Sequence, residues 1–173
     1  MDTIAFYSPR DEYGFLSNFS PHGIDVGGQY WRTMEHFFQG MKTLEASQRE
    51  AIRAASTPTQ AKNLGRECDL RGDWEALAPV PESLLAGFSD DQGLLVATTK
   101  DHYMFYGLTD KFHQHMDLQE KLLATGDAVL VEASPVDTYW GNAFKNGAHG
   151  QNKLGRMLMM VRKRARERLA EEG

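Results

Sequence analysis

Five apolar side chains recur at helical spacing directly after Thr33, and this stripe constrains the fold more than any other feature. The stripe follows the spacing i, i+3, i+4, i+7 and i+10 and consists of Met34, Phe37, Phe38, Met41 and Leu44. Residues at this spacing share one face of a helix, and a threonine oxygen can accept an N–H of the first turn. The sequence therefore predicts an amphipathic helix that Thr33 caps and that packs on a core.

Further helices are predicted along the chain. Ser47–Glu50 and Thr57–Gln60 both match the capping box, and the second carries a proline at its first helical position. Asp110–Thr125 is expected to form one helix, and the apolar spacing from Leu154 to Leu169 predicts a terminal helix. Residues 76–106 contain several prolines and glycines and carry few helical signals.

Strand signals are few and short. Thr3–Tyr7 is a short apolar run, and Gly23–Trp31 is typical of a hairpin that turns at Gly27 and Gly28. Ala128–Ala133 is rich in valine and leucine and can add a third strand. Together these signals predict an α+β fold that is mostly helical, with a small antiparallel sheet.

Length and composition favour one domain over residues 1–173. With 41% hydrophobic residues, a chain of this length can bury a core without disulfides or a structural metal. The longest apolar runs are far shorter than the ~20 residues that cross a bilayer, and residues 1–7 show no secretory signal. Cys68 is the only cysteine in the sequence. We therefore expect a cytoplasmic protein with no membrane partner.

The charge balance excludes one class of nucleic-acid binder. A net charge of -5 disfavours binding through a whole-surface positive field. The segment from Lys153 to Arg168 nevertheless carries seven basic residues against one acid, Glu167. This basic segment is interpreted either as a solvated helix face or as a local site for phosphate.

Glu35, Gln39 and Lys42 form a polar line on the flank opposite the apolar stripe, at i, i+4 and i+7. One interpretation is a solvated face with modest side-chain pairing. The other is a carboxylate pointed into a cleft, because the first turn of a helix favours the ionised form of an acid. In that case Glu35 would be available as a base or to stabilise a cation.

The segment Asp137–Asn152 combines an acid, aromatic residues and glycines just before the basic helix. Its backbone N–H groups can hold phosphate oxygens, and its aromatic faces can stack on a base or flank a sugar cation. The alternative is an ordinary turn with Trp140 in the core. Lys62 and Arg66, one turn apart, can similarly clamp a diphosphate or complement the end of their helix.

Neither a metal site nor a cofactor is expected. His113 and His115 would point about 200° apart on a helix, and no metal-binding motif accompanies them. Cys68 lies beside Glu67 and Asp69, which disfavour a thiolate, so a structural role is expected.

Several motifs together resemble the NADAR superfamily, which includes the YbiA-like N-glycosidases. The blocks stand in the family's order and span nearly the whole chain. They are Phe6–Tyr7, Leu16–Phe19, Trp31–Gln39, Ala61–Arg66, Tyr139–Gly141, Gly150–Gly155 and Leu158–Met159. The resemblance implies a mostly helical fold with a small sheet. Two departures, the longer segment 76–99 and the residues Asn142–Lys145, would reshape the mouth of the site.

The resemblance implies hydrolysis of a ribosyl C1–N bond. Some members of the family act on ribosylaminopyrimidine phosphates of riboflavin synthesis, and others remove ADP-ribose from the amino group of guanine in nucleic acid. The guanine substrate is the preferred expectation here, with a cognate ADP-ribosyltransferase as partner. The riboflavin intermediate and a non-catalytic module that binds ADP-ribose or a nucleotide are the alternatives.

The resemblance also implies which residues form the site. Two carboxylates, Glu35 and Asp137, are expected to converge around the anomeric carbon, and Lys62 is expected to form a Schiff base with the opened sugar or to hold a phosphate or hydroxyl. The residues expected to bind substrate are Asn18, Phe19, His36, Arg66, Trp140, Asn142, Gly150 and Asn152.

Overall fold

A computed structural model describes residues 2–80 and 82–173 of the chain. They form two compact units, one from residues 2–20 with Phe112–Gly173 and the other from the described residues of Pro21–Lys111. The helices are α1 Met34–Gly40, α2 Ala46–Ala54, α3 Pro58–Glu67, α4 Glu82–Leu85, α5 Thr99–Gln114, α6 Met116–Ala124 and α7 Lys153–Glu172. The strands are β1 Thr3–Phe6, β2 Ile24–Val26, β3 Gln29–Trp31, β4 Ser89–Asp90, β5 Gly93–Leu94, β6 Val129–Glu132, β7 Phe144–Lys145 and β8 Ala148–His149.

The α+β class is confirmed, with helix as the main component. Across the described residues, no helix has both the length and the apolar character that a bilayer span requires.

In the unit 21–111, α1 packs against α2, α3 and β3. All seven of its residues are buried, because neighbouring elements cover more than its apolar stripe. The β2–β3 hairpin turns at Gly27 and Gly28, whose φ angles are 59° and 77°. Glycine adopts such positive φ angles at little cost. The predicted hairpin is thus confirmed.

In the other unit, β1 and β6 pair in parallel, with Thr3 opposite Val129 and Phe6 opposite Glu132. Helix α7 packs against β6 and α6. The second hairpin, β7–β8, turns at Asn146 and Gly147, both at positive φ. The expected small antiparallel sheet is therefore replaced by separate two-stranded pairs among the described residues, and the strand predicted near residue 130 joins β1 in parallel.

Helix α1 ends earlier than its apolar stripe predicts. It stops at Gly40, and Leu44 is 65% exposed. A Cβ at Gly40 would lie 2.4 Å from the Trp31 ring, so the end of the helix is pressed against β3. The chain then turns, and Thr43 forms a β-bridge with Leu70. Leu44 follows this bridge and lies outside the helix.

Two of the three predicted helix caps are present in the structure. Thr33 caps α1 by accepting the His36 N–H, and Thr57 caps α3 by accepting the Gln60 N–H at 3.1 Å. The short helix predicted at Ser47 is present as α2, but it begins two residues earlier, with Glu45 at its N-cap and no side-chain cap. Ser47 therefore lies inside the first turn of α2 and does not cap it.

The prediction of one helix over 110–125 is also wrong. Helix α5 begins at Thr99 and α6 begins at Met116, with His115 in extended conformation between them. The early start has a local cause, since the buried Asp101 carboxylate accepts the N–H groups of Ala97 and Thr98 at 3.2 and 3.0 Å. A carboxylate in the first turn satisfies N–H groups that the helix leaves unpaired.

Helix α7 approaches β6 closely at Gly155. A Cβ there would lie 2.1 Å from the backbone oxygen of Leu130, which cannot move without disturbing the strand. Gly155→Ala should therefore lower the free energy of unfolding by about 3 kcal/mol or more. Urea denaturation measures the change, with Gly72→Ala as a control because nothing lies within 4 Å of a Cβ there. Equal stabilities for the two variants would contradict the prediction.

Candidate active site

Helix α1 presents Glu35 inside the unit 21–111, on the flank opposite the apolar stripe. The Glu35 side chain is 6% exposed and that of Gln39 is 4% exposed. Gln39 Nε2 donates a hydrogen bond to Glu35 Oε1 at 2.7 Å. The interpretation of this flank as a solvated face is therefore wrong for both residues, and a carboxyl group is buried where a solvated one was the simpler expectation.

Three cations act on the buried carboxyl. Lys42 follows α1 directly, and Lys62 and Arg66 lie on α3, which packs against α1. Burial raises the pKa of Glu35, while the Gln39 hydrogen bond and the charges of Lys62, Lys42 and Arg66 lower it, with burial the larger effect. The result is a desolvated acid beside a surplus of positive charge, which suits both proton transfer and the binding of an anion.

Gln39 and Lys42 were not among the predicted site residues. Burial lowers the pKa of the Lys42 ammonium, while the charges of Glu35 and Cys68 raise it. Its Nζ also lies 5.9 Å from the centre of the Phe38 ring. The i, i+4, i+7 spacing from Glu35 was the available signal, but that spacing alone does not distinguish a buried flank from a solvated one.

His36 is fully buried and both of its ring nitrogens are used within the fold. Nε2 lies 3.1 Å from the carbonyl oxygen of Ala55 and Nδ1 lies 2.8 Å from Thr33 Oγ1. Since a carbonyl only accepts, Nε2 carries the proton and Nδ1 accepts from the threonine hydroxyl. Burial also lowers the pKa of His36. The ring ties the start of α1 to the end of α2, and so fixes the helix that carries Glu35.

Replacing Glu35 should reveal the cost of burying it. Because the folded-state pKa of Glu35 is raised, the group contributes stability at low pH that is lost as the pH rises through the folded pKa. Glu35→Gln should therefore raise the free energy of unfolding by about 1 kcal/mol near pH 7, and by nothing near about pH 3. Urea denaturation of both proteins at the two pH values measures the difference. A gain of equal size at both would contradict the prediction.

Asp137 lies in the other unit, in the loop between β6 and β7, where its carboxylate organises the backbone. Its Oδ1 accepts the N–H groups of Tyr139 and Trp140, each at 2.8 Å. Its own N–H donates to Ser134 Oγ at 3.1 Å. This arrangement is an Asx-type turn, which competes successfully with regular structure at such loops. One carboxylate oxygen therefore shapes the loop that carries Trp140.

Trp140 is half-buried and stands against Tyr139, with the ring centres 4.9 Å apart and the planes nearly perpendicular. Lys153 Nζ donates to the Tyr139 hydroxyl at 3.0 Å and lies 4.7 Å from the centre of that ring. The first residue of α7 is thus tied to the loop. Trp140 thus lies on a loop that is bound to α7 and keeps part of its surface exposed.

The remaining predicted residues of this loop act through backbone and amide contacts. Asn152 Oδ1 accepts the Glu132 N–H and Nδ2 donates to the Leu130 oxygen, both at 2.9 Å. Asn142 donates its backbone N–H to Glu132 O, and Gly150 donates its own to the oxygen of Ala143. A Cβ at Gly150 would lie 2.4 Å from Gly141 O. These residues fix the loop against β6.

Two predicted residues lie near the N-terminus of this same unit. Asn18 is buried at 9% exposure, and Phe19 is half-buried, with its N–H donated to Ser17 Oγ at 3.2 Å. The departure at residues 142–145 also has a structure, since Phe144 lies on the β7–β8 hairpin, 65% exposed. Its ring centre is 5.1 Å from that of His149.

The structure brings the predicted residues together as two groups. In the unit 21–111, it gathers Glu35 with Lys62 and Arg66, adds Gln39 and Lys42, and places His36 as a support of the same helix. In the other unit, it gathers the residues around one loop, which are Asp137, Trp140, Asn142, Gly150 and Asn152. The two candidate carboxylates thus belong to different units.

Comparison with known proteins places these residues in a family. The family model of the NADAR domain matches residues 5–166, which include all the site residues above. The N-glycosidase Npun_R5314 of Nostoc punctiforme is 38% identical over 177 residues, covering 99% of this chain and 97% of that protein. The riboflavin biosynthesis protein VVA0006 of Vibrio vulnificus is 34% identical over 166 residues, covering 95% of this chain and 39% of that protein.

A solved structure agrees with the fold. The N-glycosidase YbiA of Escherichia coli is 39% identical over 166 residues, covering 93% of this chain and 88% of that protein. Its NMR structure matches with a TM-score of 0.74, covering 97% of this chain and 88% of that chain. With a family match over most of its length and relatives at this level of identity, the chain belongs to the NADAR domain family.

Proposed function

We propose that this chain removes ADP-ribose from the amino group of guanine, in DNA or in nucleotides, by hydrolysing the bond between ribose C1 and the exocyclic nitrogen. The coarser activity is that of its family, a hydrolase that acts on N-glycosyl bonds. One observation carries the proposal: a buried carboxyl, that of Glu35, is held by an amide and surrounded by three cations. An amine leaving group needs a proton, and a diphosphate needs cations.

Glu35 is assigned the role of proton donor to the leaving nitrogen. Since burial raises its pKa, the neutral acid persists to higher pH than for an exposed glutamate. As the C1–N bond breaks, its electron pair stays on the nitrogen, which takes the Glu35 proton. The sugar develops oxocarbenium character, and water adds to C1. Departure of a neutral amine is far easier than departure of its anion.

Asp137 is assigned the complementary role. With Oδ1 engaged by the loop, its second oxygen, Oδ2, is the group that we propose accepts a proton from the attacking water. Trp140 and Phe19 are proposed to stack on the base and to keep bulk water from the reacting carbon. Asn18, Asn142, Gly150 and Asn152 are proposed to bind substrate through the loop segments that they shape, and His36 to support α1.

The cations beside Glu35 are assigned to the phosphates. Arg66 offers a planar pair of donors and Lys62 a point charge, and Lys42 adds a third cation. The alternative for Lys62 is a Schiff base with the opened sugar. Phosphate bound here would offset the charges that lower the Glu35 pKa. Substrate binding would thus favour the protonated acid that the reaction needs.

A second substrate is favoured by the name of one relative. VVA0006 is a riboflavin biosynthesis protein, and ribosylaminopyrimidine phosphates share with the guanine adduct a ribose C1 bonded to an exocyclic nitrogen and a phosphate on the 5′ side. The same acid and the same cations would serve both substrates. A non-catalytic module that binds ADP-ribose is the third candidate, and a cognate ADP-ribosyltransferase is the partner expected with the guanine substrate.

The experiment compares the candidates directly. The protein is incubated separately with single-stranded DNA ADP-ribosylated on guanine and with a ribosylaminopyrimidine phosphate, and released ADP-ribose or ribose phosphate is followed by mass spectrometry in ¹⁸O-labelled water. Release of ¹⁸O-labelled ADP-ribose with restored guanine supports the proposal. Release only from the pyrimidine substrate favours the second candidate, and stoichiometric binding without release favours the third.

A further inference from the structure

We propose that Gln39 is the positioning residue of this site: its amide holds the Glu35 carboxyl in one orientation in both protonation states, and Gly65 provides the space for that amide. The inference deepens the function proposed above and rests on it for its catalytic meaning. The arrangement itself involves three residues, Glu35, Gln39 and Gly65, which all belong to the unit 21–111.

The hydrogen bonding of Gln39 is incomplete in a way that needs an explanation. Nε2 donates to Glu35 Oε1 at 2.7 Å. The amide oxygen Oε1 is buried and, among the described residues, has no hydrogen-bond partner. A buried acceptor left unpaired costs about 1–3 kcal/mol and is rare in folded proteins. An unpaired amide oxygen beside an acid is explained if it has a partner in another protonation state of that acid.

A primary amide can serve both states of the carboxyl. It donates N–H to the carboxylate, and after a half-turn about its Cγ–Cδ bond it accepts O–H from the neutral acid. Lysine or arginine could only donate, either to the carboxylate or to the carbonyl oxygen of the neutral acid, and leucine could do neither. An amide therefore offers an acid that gives up and regains its proton a donor for the carboxylate and an acceptor for the O–H of the neutral acid.

Gly65 makes the arrangement possible. It lies on α3, facing α1, and a Cβ at this position would be 2.1 Å from Gln39 Oε1. The same Cβ would be 2.9 Å from the Cβ and the Cδ of Gln39. A side chain at residue 65 would thus displace the amide from Glu35.

The charged groups around Glu35 act differently from Gln39. Lys42, Lys62 and Arg66 lower the pKa of Glu35 through their charge. On α2, Arg49 is bound to the backbone oxygens of Gly40 and Thr43. The ring of His36, on α1 itself, is bound at both nitrogens, and Arg32, which precedes α1, acts on that ring. Lys42, Lys62 and Arg66 thus act on the carboxyl through their charge, whereas Gln39 supplies the directed bond.

The test measures the Glu35 pKa directly. In protein labelled with ¹³C at the glutamate side-chain carboxyl carbon, the Glu35 signal is assigned by its loss in Glu35→Gln and titrated by NMR. Gln39→Leu should raise this pKa, because the lost bond to the carboxylate is charge-assisted and stronger than the lost bond to the neutral acid. The limb of the kcat pH profile that belongs to Glu35 should move to higher pH with it, and kcat should fall about 10- to 100-fold.

Two further observations distinguish a loss of the Gln39 hydrogen bond from a general loss of stability in Gln39→Leu. Gly65→Ala should change the Glu35 pKa in the same direction without altering Gln39 itself. In the unmodified protein, the side-chain amide ¹⁵N signal of Gln39 should titrate together with Glu35. The controls are Gln119→Leu, which removes another buried amide, and Gly107→Ala, whose Cβ would crowd Met34 at 2.5 Å. Both controls should lose stability and leave the Glu35 pKa unchanged.

Each outcome of these measurements supports or overturns the positioning role of Gln39. The positioning role would be overturned, whatever the activity, by one combined result. In that result the Glu35 pKa is the same in Gln39→Leu and Gly65→Ala as in the unmodified protein, and the Gln39 amide signal does not change as Glu35 titrates. A pKa that moves as expected while the pH profile stays fixed would support the positioning role and overturn Glu35 as the proton donor. Movement of both supports the inference and the proposed function together.

Discussion

Glu35→Gln is expected to lower turnover at least about 100-fold, the usual scale for losing a positioned acid or base. Glutamine keeps the shape of the side chain and can still hydrogen-bond to Gln39, so the geometry around α1 is retained. What it lacks is a proton to give to the leaving nitrogen. Steady-state hydrolysis of the guanine adduct and of the ribosylaminopyrimidine phosphate measures the loss, with circular dichroism to verify the fold.

Glu67→Gln is the matched control for this experiment. Glu67 lies at the end of α3 and is exposed, so the same chemical change should leave turnover within about twofold. Near-native activity of Glu35→Gln on both substrates would remove Glu35 from the mechanism. Loss of activity in Glu67→Gln to the same degree would point to a general effect of negative charge on substrate encounter.

Two substitutions of Asp137, by alanine and by asparagine, should distinguish its structural role in the loop from its role in the reaction. Asp137→Ala removes the acceptor of the Tyr139 and Trp140 N–H groups, and should cost about 1–2 kcal/mol of stability together with most of the activity. Asp137→Asn retains an acceptor oxygen, so its stability should change by less than about 0.5 kcal/mol. Its turnover should still fall about 100-fold, because an amide cannot take a proton from water.

Urea denaturation and hydrolysis rates measured on both variants test this separation. Asp117→Asn, an exposed acid in the first turn of α6, is the control and should retain native turnover. If Asp137→Asn is as active as the unmodified protein, the carboxylate serves the loop alone. A Glu35→Gln, Asp137→Asn double variant that is no slower than the slower single variant would indicate that the two acids act as one unit.

Local signals predicted the elements that local contacts determine. The start of α1, the start of α3 and the β2–β3 turn follow from Thr33, Thr57 and the Gly27-Gly28 pair, and all three are confirmed. Each depends on atoms within a few residues, a threonine oxygen or a glycine backbone, so spacing along the sequence is sufficient to find it.

The predictions failed where segments that are distant in the sequence determine strand pairing or burial. The parallel pairing of β1 with β6 joins residues 3–6 to residues 129–132, and no local pattern encodes such a partner. The burial of Glu35 and Gln39 depends on α3 and on the missing side chain of Gly65. Periodicity assigns polar residues to a solvated flank by default, so a helix that is covered on all sides is misjudged at the polar positions that carry its chemistry.

The pairing of β1 with β6 has a consequence for synthesis on the ribosome. Thr3 pairs with Val129, 126 positions later, so β1 leaves the ribosome long before its partner exists. The unit 21–111 is contiguous and can acquire its tertiary contacts during translation. The unit that contains β1 and β6 cannot assemble before residues 129–132 are synthesised, so a nascent chain stalled before residue 129 leaves the edge of β1 without its partner and open to aggregation.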